Sequence, residues 1–202
     1  MSDSTVINEL KVRLRREALV RREALSADER AAAAQAIAAR PFPIAVPDGA
    51  IVSGFMPLKS EINPLPLLRK LADAGAALAL PVVAGKGRPL IMRAYAFGDV
   101  LASGVWGIRE PPPEAAEVFP DILLVPLLAF DRRGHRLGYG AGYYDMTIAT
   151  LRARKPVTAV GIAYAQQEIS EVPTTPRDAR LDLVLTENEF IITNPEVPRI
   201  AG

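Results

Sequence analysis

The residues best suited to chemistry lie in one stretch, 133–145, which reads R-G-H-R-L-G-Y-G-A-G-Y-Y-D. Glycines at three alternate positions leave the backbone free to turn tightly or to approach a ligand closely. An apolar run precedes this stretch and a helix-compatible segment follows it, which is the context in which backbone N–H groups and a helix N-terminus bind phosphate. We therefore predict a loop that holds a nucleotide phosphate, with a tight structural turn as the alternative for a lone G-x-G-x-G.

The composition restricts the class of protein around this loop. The chain has 202 residues, of which 50% are hydrophobic and 23% charged, so we expect one soluble globular domain over 1–202. A net charge of +1 argues against a dedicated nucleic-acid or acidic-membrane surface. The absence of cysteine excludes thiol nucleophiles, and the single histidine, His135, excludes a multi-histidine metal site. With no apolar run of the ~18 residues that span a membrane and no signal-peptide core, a cytoplasmic enzyme is expected.

Two helices are predicted at the start of the chain. Residues 4–24 show helical spacing of apolar positions, with Lys11, Arg15 and Arg22 near one another on an adjacent face. On the residues alone this face is typical of a solvated basic helix. The S-A-D-E sequence at 26–29 matches a capping box that opens a second, alanine-rich helix.

The remaining elements alternate between strands and helices. Apolar runs bounded by turn residues predict strands over 50–55, 77–83, 90–97, 122–130, 157–163, 181–185 and 190–192. Helices are predicted over 63–74 and 144–151, and Pro126 indicates a bulge or a strand end within the central run. The order strand, helix, strand predicts a three-layer α/β/α single domain around a mainly parallel sheet.

Further sequence blocks accompany the glycine loop, which itself is neither a Walker A loop nor a dinucleotide fingerprint. These blocks are Lys-x-x-x-Arg at 11–15, Glu61, L-P-V-V at 80–83, W-G-I-R-E-P at 106–111, V-P-L-L-A-F-D at 125–131 and P-R-D-x-x-L-D at 176–182. In this order, and together with R-L-G-Y-G-A-G-Y-Y-D, they resemble the 5-formyltetrahydrofolate cyclo-ligases, also called methenyltetrahydrofolate synthetases. The resemblance extends over nearly the whole chain.

The resemblance implies ATP- and Mg²⁺-dependent cyclisation of 5-formyltetrahydrofolate to 5,10-methenyltetrahydrofolate, with release of ADP and phosphate. Because a formamide oxygen is a poor leaving group, γ-phosphoryl transfer to it would give an iminium phosphate, which the folate N10 then attacks. Such transfer needs mainly positioning and charge neutralisation. The resemblance also implies a fold like that of sugar-phosphate isomerases and CoA-transferases, with ligands at the carboxyl ends of the strands. We expect a monomer whose partners are folate and ATP, without nucleic acid or membrane.

The resemblance further implies a role for each matching residue. The catalytic residues would be Arg136 and Lys11, which neutralise developing charge. The ATP-binding residues would be Lys11, Arg15, Arg136, Leu137, Gly138, Tyr139, Gly140, Ala141, Gly142, Tyr143 and Tyr144. The folate-binding residues would be Met56, Glu61, Trp106, Tyr139 and Tyr143. Asp145 and Asp178 would be the Mg²⁺ ligands, since both offer hard oxygen donors.

Several of these residues also fit structural roles. Trp106 suits a core position as well as a stacking platform, and Glu61 and Asp145 suit the first turn of a helix. Asp178 suits a turn. Because of the resemblance, we expect Lys11 and Arg15 to bind ATP rather than to lie on a solvated face. We still expect Arg22 and His135 at the surface.

Three positions depart from the family pattern. Arg177 stands where the family often has histidine, Asn63 stands where a carboxylate is usual, and Ala141 replaces a common glycine or lysine. These departures leave two alternatives open: a divergent ATP-dependent ligase or kinase acting on another small substrate, and a non-catalytic folate- or nucleotide-binding regulator.

Overall fold

Five parallel strands form the middle of a seven-stranded sheet in the computed structural model, which describes residues 3–197 and the side chains from residue 5 onward. In chain order the strands are β1 Ile51–Ser53, β2 Ala77–Val82, β3 Ile91–Tyr95, β4 Ala102–Ser103, β5 Arg109–Glu110, β6 Ile122–Pro126, β7 Ala129–Phe130, β8 Arg136–Leu137, β9 Thr158–Ile162, β10 Leu183–Leu185 and β11 Phe190–Ile192. The sheet has the order β11-β10-β9-β6-β1-β2-β3, and its two edge strands, β11 and β3, are antiparallel to their neighbours. The predicted mainly parallel sheet is therefore confirmed.

Four α-helices accompany these strands in the described part of the chain: α1 Asp3–Glu23, α2 Ala27–Ala39, α3 Leu65–Asp73 and α4 Tyr143–Arg152. The predicted capping box at the start of α2 is present, since Ser26 accepts from the Glu29 amide and the Glu29 side chain reaches back to the Ser26 amide. Asn63 accepts a hydrogen bond from the Leu65 amide at 3.0 Å and so orients the start of α3. No helix among the described residues has the length and apolar character needed to cross a bilayer.

The helices pack on both faces of the sheet, which confirms the three predicted layers. On one face, α2 and α3 contribute Ile37 and Leu68 to a core with alternate residues of the parallel strands. On the other face, α4 contributes Ile148 and Leu151. The central strand β6 has side chains buried on both faces, which explains why it reads as a continuous apolar run. The ends of the predicted 1–202 domain, residues 1–2 and 198–202, lie outside the described residues.

The predicted central strand over 122–130 is divided in the structure. The strand β6 ends at Pro126, and the following residues pair with β8 in a separate two-stranded ribbon, β7–β8. Proline cannot donate the next ladder hydrogen bond, which accounts for the strand end. The ribbon lies beyond the carboxyl end of β6, and α1 packs on it through Ala18, which shares a cluster with Leu128 and Leu137. The N-terminal helix is thereby held at the carboxyl edge of the sheet.

Candidate active site

The glycine loop connects β8 to α4 at this carboxyl edge. Gly140 and Gly142 have positive φ angles of 105° and 70°, a conformation that strongly favours glycine, whereas Gly138 has no positive φ. Gly142 is the N-cap of α4, and no side chain in the described part of the chain caps that helix. The first N–H groups of α4 therefore have no side-chain acceptor among the described residues. An uncapped helix start of this kind favours the binding of phosphate.

The N-terminal helix brings two cations to the loop. The Arg15 Nε donates a 2.8 Å hydrogen bond to the Gly138 carbonyl, and a Cβ built on Gly140 would lie 3.2 Å from the Arg15 guanidinium carbon. One turn earlier, Lys11 is buried and its Nζ lies 2.6 Å from Asp178. These contacts join residues that are more than 120 positions apart in the chain. The structure therefore brings Arg15 to the glycine loop and Lys11 to Asp178.

Two carboxylates meet at the same corner, each paired with a cation. Asp145, in the first turn of α4, accepts hydrogen bonds from Arg136 Nη2 at 2.7 Å and from the Ala179 amide at 3.0 Å. Its neighbour across this contact is Asp178, which precedes Ala179 and accepts from Lys11. Burial alone would raise the pKa of Asp178, but the hydrogen bonds from Lys11 and the adjacent turn outweigh it and lower the pKa.

The donor atoms at this corner determine which metal ion it could hold. No group of three or more His, Cys, Asp or Glu residues with metal-binding geometry occurs among residues 5–197. Mg²⁺ in nucleotide sites commonly uses one or two carboxylates and completes its shell with phosphate oxygens and water. Asp145 and Asp178 supply two hard oxygen donors beside the phosphate-type loop, so the residues present fit that ion.

A second group of residues lies around Glu61, after the end of β1. Glu61 Oε2 accepts a 2.8 Å hydrogen bond from the Leu58 amide across a turn in which Lys59 has a φ of 54°. Burial raises the pKa of the Glu61 carboxyl, against the opposing effects of the Leu58 amide, Tyr139 and Arg22. Glu61 is therefore held by its own loop before α3 begins, rather than in the first helical turn.

Arg22 corrects the sequence prediction, because it is buried instead of lying at the surface. Its side chain is 1% exposed. Its Nε donates to Ser60 Oγ at 3.1 Å, and its Nη2 donates to the Tyr139 hydroxyl at 2.7 Å. Among the described residues, Nη1 has no hydrogen-bond partner, and a buried unpaired donor costs about 1–3 kcal/mol.

The position of Arg22 follows from the geometry of α1. Residues 11, 15, 18 and 22 are spaced by four, three and four positions, so they lie along one face of the helix. Ala18 on this face is buried against the β7–β8 ribbon, and its neighbours on the face are thereby directed into the site. The spacing was visible in the sequence, but the polarity of three of the four residues suggested solvent.

Three aromatic residues lie at or beside the start of α4: Trp106, Tyr143 and Tyr144. Trp106 is 63% exposed, adopts a left-handed φ of 58°, and contacts Tyr143 edge-on with ring centroids 6.2 Å apart. The core interpretation of Trp106 is therefore wrong. Burial raises the pKa of Tyr144, and the charges of both Glu61 and Arg136 act on its hydroxyl, which places it near both groups. Met56 is partly buried in the loop after β1.

The remaining candidates lie outside these contacts. His135 is largely enclosed rather than solvent-facing, and its Nδ1 lies 3.1 Å from Asp131 Oδ2. Asp131 is itself buried and accepts backbone hydrogen bonds, so this pair stabilises the loop. Arg177 and Ala141 are exposed. The Arg177 side chain has no hydrogen bond or ion pair among the described residues. The predicted influence of Arg177 and Ala141 on substrate choice therefore stays a prediction.

The site combines a glycine-rich loop with nearby cations and carboxylates, and it lies at the carboxyl edge of an open α/β sheet. This combination is typical of α/β enzymes that bind a phosphorylated ligand. Residues 7–187 match the model of the 5-formyltetrahydrofolate cyclo-ligase family, and the chain belongs to that family. This membership confirms the resemblance predicted from the sequence blocks.

Individual relatives agree with the family assignment. The 5-formyltetrahydrofolate cyclo-ligase of Mycolicibacterium smegmatis is 38% identical over 152 residues, which are 71% of this chain and 77% of that protein. The enzyme of the same name from Escherichia coli strain K12 is 31% identical over 144 residues, 68% of this chain and 78% of that protein. The NMR structure of Aquifex aeolicus 5,10-methenyltetrahydrofolate synthetase superposes with a TM-score of 0.74 at 28% identity, covering 96% of each chain.

Proposed function

We propose that this protein catalyses the ATP- and Mg²⁺-dependent cyclisation of 5-formyltetrahydrofolate to 5,10-methenyltetrahydrofolate, with release of ADP and phosphate. Membership in the cyclo-ligase family supports the reaction. The observation that carries the proposal is the convergence of Lys11 and Arg15 from α1 on the loop that also presents Arg136 and Asp145. Two elements more than 120 positions apart in the chain meet there with the charges that phosphoryl transfer requires.

In this proposal the glycine loop binds the ATP phosphates. The N–H groups of the loop and of the uncapped start of α4 donate hydrogen bonds to the phosphate oxygens, and the helix dipole adds to the attraction. Arg15 and Lys11 border the loop from α1. Arg136 is buried and held by Asp145 and the Ala179 carbonyl at 2.7 and 2.5 Å, so its guanidinium is fixed before the phosphates arrive.

Asp145 and Asp178 are the residues that would hold Mg²⁺. The ion would supply neutralisation of the charge on the ATP phosphates. Both carboxylates are already paired with cations. If Asp145 and Asp178 bound Mg²⁺ instead, the Lys11 ammonium and the Arg136 guanidinium would be available to bind the ATP phosphates.

The folate would lie on the side of Glu61. An ionised Glu61 can accept two hydrogen bonds from the amino group and ring N–H of a pterin. Trp106 and Tyr143 present aromatic surface to solvent near the loop, where flat rings can stack. Met56 and Tyr139 complete this half of the proposed site.

The proposed reaction has two chemical steps. The formyl oxygen attacks the γ-phosphorus, the bond to the β–γ bridging oxygen breaks, and ADP leaves. The resulting iminium phosphate carries a good leaving group on the former formyl carbon. N10 attacks that carbon, the C–O bond breaks, phosphate departs and N10 loses its proton, which leaves the methenyl bridge. The chain contributes positioning and charge, and no protein nucleophile is required.

The test is a direct assay with purified protein, ATP, Mg²⁺ and 5-formyltetrahydrofolate, following the methenyl chromophore and ADP together. We expect equal amounts of both products. We expect Asp145→Asn to lower kcat by at least about 100-fold, with folate affinity by calorimetry changed less than twofold. The matched control is Asp73→Asn, which alters an exposed carboxylate at the end of α3.

Other outcomes separate the alternatives. ADP formed with another small substrate and not with the folate would identify a divergent ligase or kinase. Folate or nucleotide binding without any turnover would identify a regulator. Full activity of Asp145→Asn would remove this residue from the metal site.

A further inference from the structure

Arg22 and Tyr139 form a polar cluster with Ser60 and Glu61 between α1 and the folate half of the site. Arg22 Nη2 donates to the Tyr139 hydroxyl at 2.7 Å, and the ring of Tyr139 lies 5.6 Å from the same guanidinium. The side chains of Tyr139 and Glu61 are close enough for each to shift the pKa of the other. Arg22 Nε is bonded to Ser60, the residue before Glu61. The guanidinium therefore contacts both neighbours of the Glu61 carboxyl, Tyr139 and the preceding residue Ser60, and its charge acts on Glu61.

A purely structural role explains this arrangement poorly. Arg22 is 1% exposed, yet none of its three hydrogen-bonding nitrogens meets a carboxylate partner at ion-pair distance among the described residues. Its Nη1 has no acceptor there at all. A buried cation without an ion pair is unfavourable, and an apolar side chain would fill the same space at lower free energy. The arrangement is explained if the positive charge serves the carboxylate of Glu61.

We propose that Arg22, acting with Tyr139, is a positioning residue for the folate: it holds the Glu61 carboxylate ionised and oriented toward the N–H donors of the pterin. This inference rests on the proposed function, because it assigns Glu61 to the folate. The tyrosine hydroxyl accepts from Arg22, so Arg22 fixes the tyrosine that lies beside the Glu61 carboxylate.

The groups that face Glu61 come from several elements. Arg22 comes from α1, Tyr139 from the glycine loop, Tyr144 from α4, and Tyr164 from the segment after β9. Burial raises the pKa of Glu61, and of these groups Arg22 is the cation that opposes the rise. Burial and the nearby Glu61 charge also raise the pKa of Tyr139 to about 12, so the tyrosine stays protonated as a donor. Removing Arg22 therefore moves protonation of Glu61 to higher pH.

The test measures folate binding directly, so that it does not depend on turnover. Calorimetry with 5-formyltetrahydrofolate in the absence of ATP compares the wild type with Arg22→Met, Arg22→Lys and Tyr139→Phe. We expect Arg22→Met to weaken folate binding about tenfold, equivalent to ~1.4 kcal/mol, and to move the acid limb of binding to higher pH. Arg22→Lys keeps the charge, so the acid limb should return toward the wild-type position. The matched control is Arg21→Gln, an exposed neighbour on the same helix.

A second readout separates positioning from general damage. In the coupled assay, Arg22→Met should raise the folate KM while the ATP KM changes less than twofold. The double variant with Tyr139→Phe should lose no more affinity than the larger single loss, since both residues act through one chain of contacts.

Unchanged folate affinity and an unchanged acid limb in Arg22→Met would overturn the proposal. If that variant does not fold, an unchanged folate affinity in Tyr139→Phe would overturn it equally. Folate binding without methenyl formation by the wild type would instead defeat the proposed function and leave this binding test readable.

Discussion

Glu61 shows how one residue can carry opposing requirements. The proposed pterin contact needs an ionised carboxylate, but burial favours the protonated form and raises the pKa of Glu61. The Leu58 amide, Tyr139 and Arg22 each oppose that rise. Burial and these three partners thus act in opposite directions on the same carboxyl.

This balance predicts a pH dependence for folate capture. Because the pKa of Glu61 lies above its ordinary value of 4.5, kcat/KM for the folate should fall on acidification along a limb whose midpoint also lies above that value. Glu61→Gln should raise the folate KM by about 10- to 100-fold, as expected for loss of a charged hydrogen-bond partner, and should abolish the limb. The ATP KM should change less than twofold.

The control for this prediction is Glu114→Gln, which removes an exposed carboxylate in the loop before β6. It should leave both KM values and the pH profile unchanged. A wild-type folate KM in Glu61→Gln would show that Glu61 serves only the turn that it closes with Leu58.

At the scale of elements, the glycine loop and α1 act as two sides of one structure. Gly140 requires its left-handed φ of 105°, and the same residue is approached by the Arg15 guanidinium. Gly138 accepts from Arg15 through its carbonyl. The loop conformation and the position of α1 are therefore coupled, so a change in one should be felt in the other.

Gly140→Ala tests this coupling. The new methyl group would have the strain of a left-handed residue, about 1–2 kcal/mol, and would press on Arg15 at 3.2 Å. We expect the ATP KM to rise at least about fivefold while the folate KM stays within twofold. Gly87→Ala is the matched control, because Gly87 has a φ of 73° in the turn between β2 and β3 but has no atom within 4 Å of the added Cβ.

Gly87→Ala should therefore lower stability by a similar amount without altering the ATP KM, as measured by urea denaturation and steady-state kinetics. An equal change in the ATP KM for both variants would mean that strain, and not contact with Arg15, governs the loop.

Across the whole molecule, carboxylates tie distant segments together, with Asp131 fully buried and Asp121 and Asp178 half-buried. Asp178 joins α1 to the segment before β10 through Lys11, Asp131 binds the Val172 amide, and Asp121 binds the Ile51 amide at the start of β1. Burial alone would raise the pKa of each carboxyl, but the hydrogen bonds and cations that surround it outweigh burial and lower it. Each is therefore more acidic in the folded chain than in the unfolded chain.

These shifts predict the acid stability. A carboxyl with a lowered folded pKa contributes stability that is fully present above its unfolded value, here 3.8, and is lost as the pH falls through the folded value. The free energy of unfolding should thus decrease steadily from about pH 5 to pH 2, measured by urea denaturation. Asp131→Asn should lower stability at pH 7 by about 1–3 kcal/mol and make the pH dependence shallower.

The contrasting variant is Asp73→Asn, whose exposed carboxyl should leave the curve unchanged. A free energy of unfolding that is constant between pH 5 and pH 3 would contradict the prediction. The single-domain organisation, the monomeric state and the cytoplasmic location stay predictions at this scale.

Much of the molecule could be predicted because its signals are local. The capping box of α2, the parallel strands and the helix that follows the glycine loop depend on spacing and on residues within a few positions of one another. The glycine loop itself was recognisable, since Gly140 and Gly142 adopt conformations that strongly favour glycine. The family was recognisable for the same reason, because its blocks occur in a fixed order along the chain.

The contacts between distant segments could not be read in this way. Lys11 meets Asp178 across 167 positions, Arg22 is buried beneath Tyr139, and Trp106 is exposed although tryptophan usually enters a core. Which face of α1 is covered depends on where the β7–β8 ribbon lies, and that position depends on the strand order of the whole sheet. Local sequence specifies the elements and the loop chemistry, whereas burial and charge pairing arise only when distant elements pack, so the partners of Arg22 became visible in the folded chain.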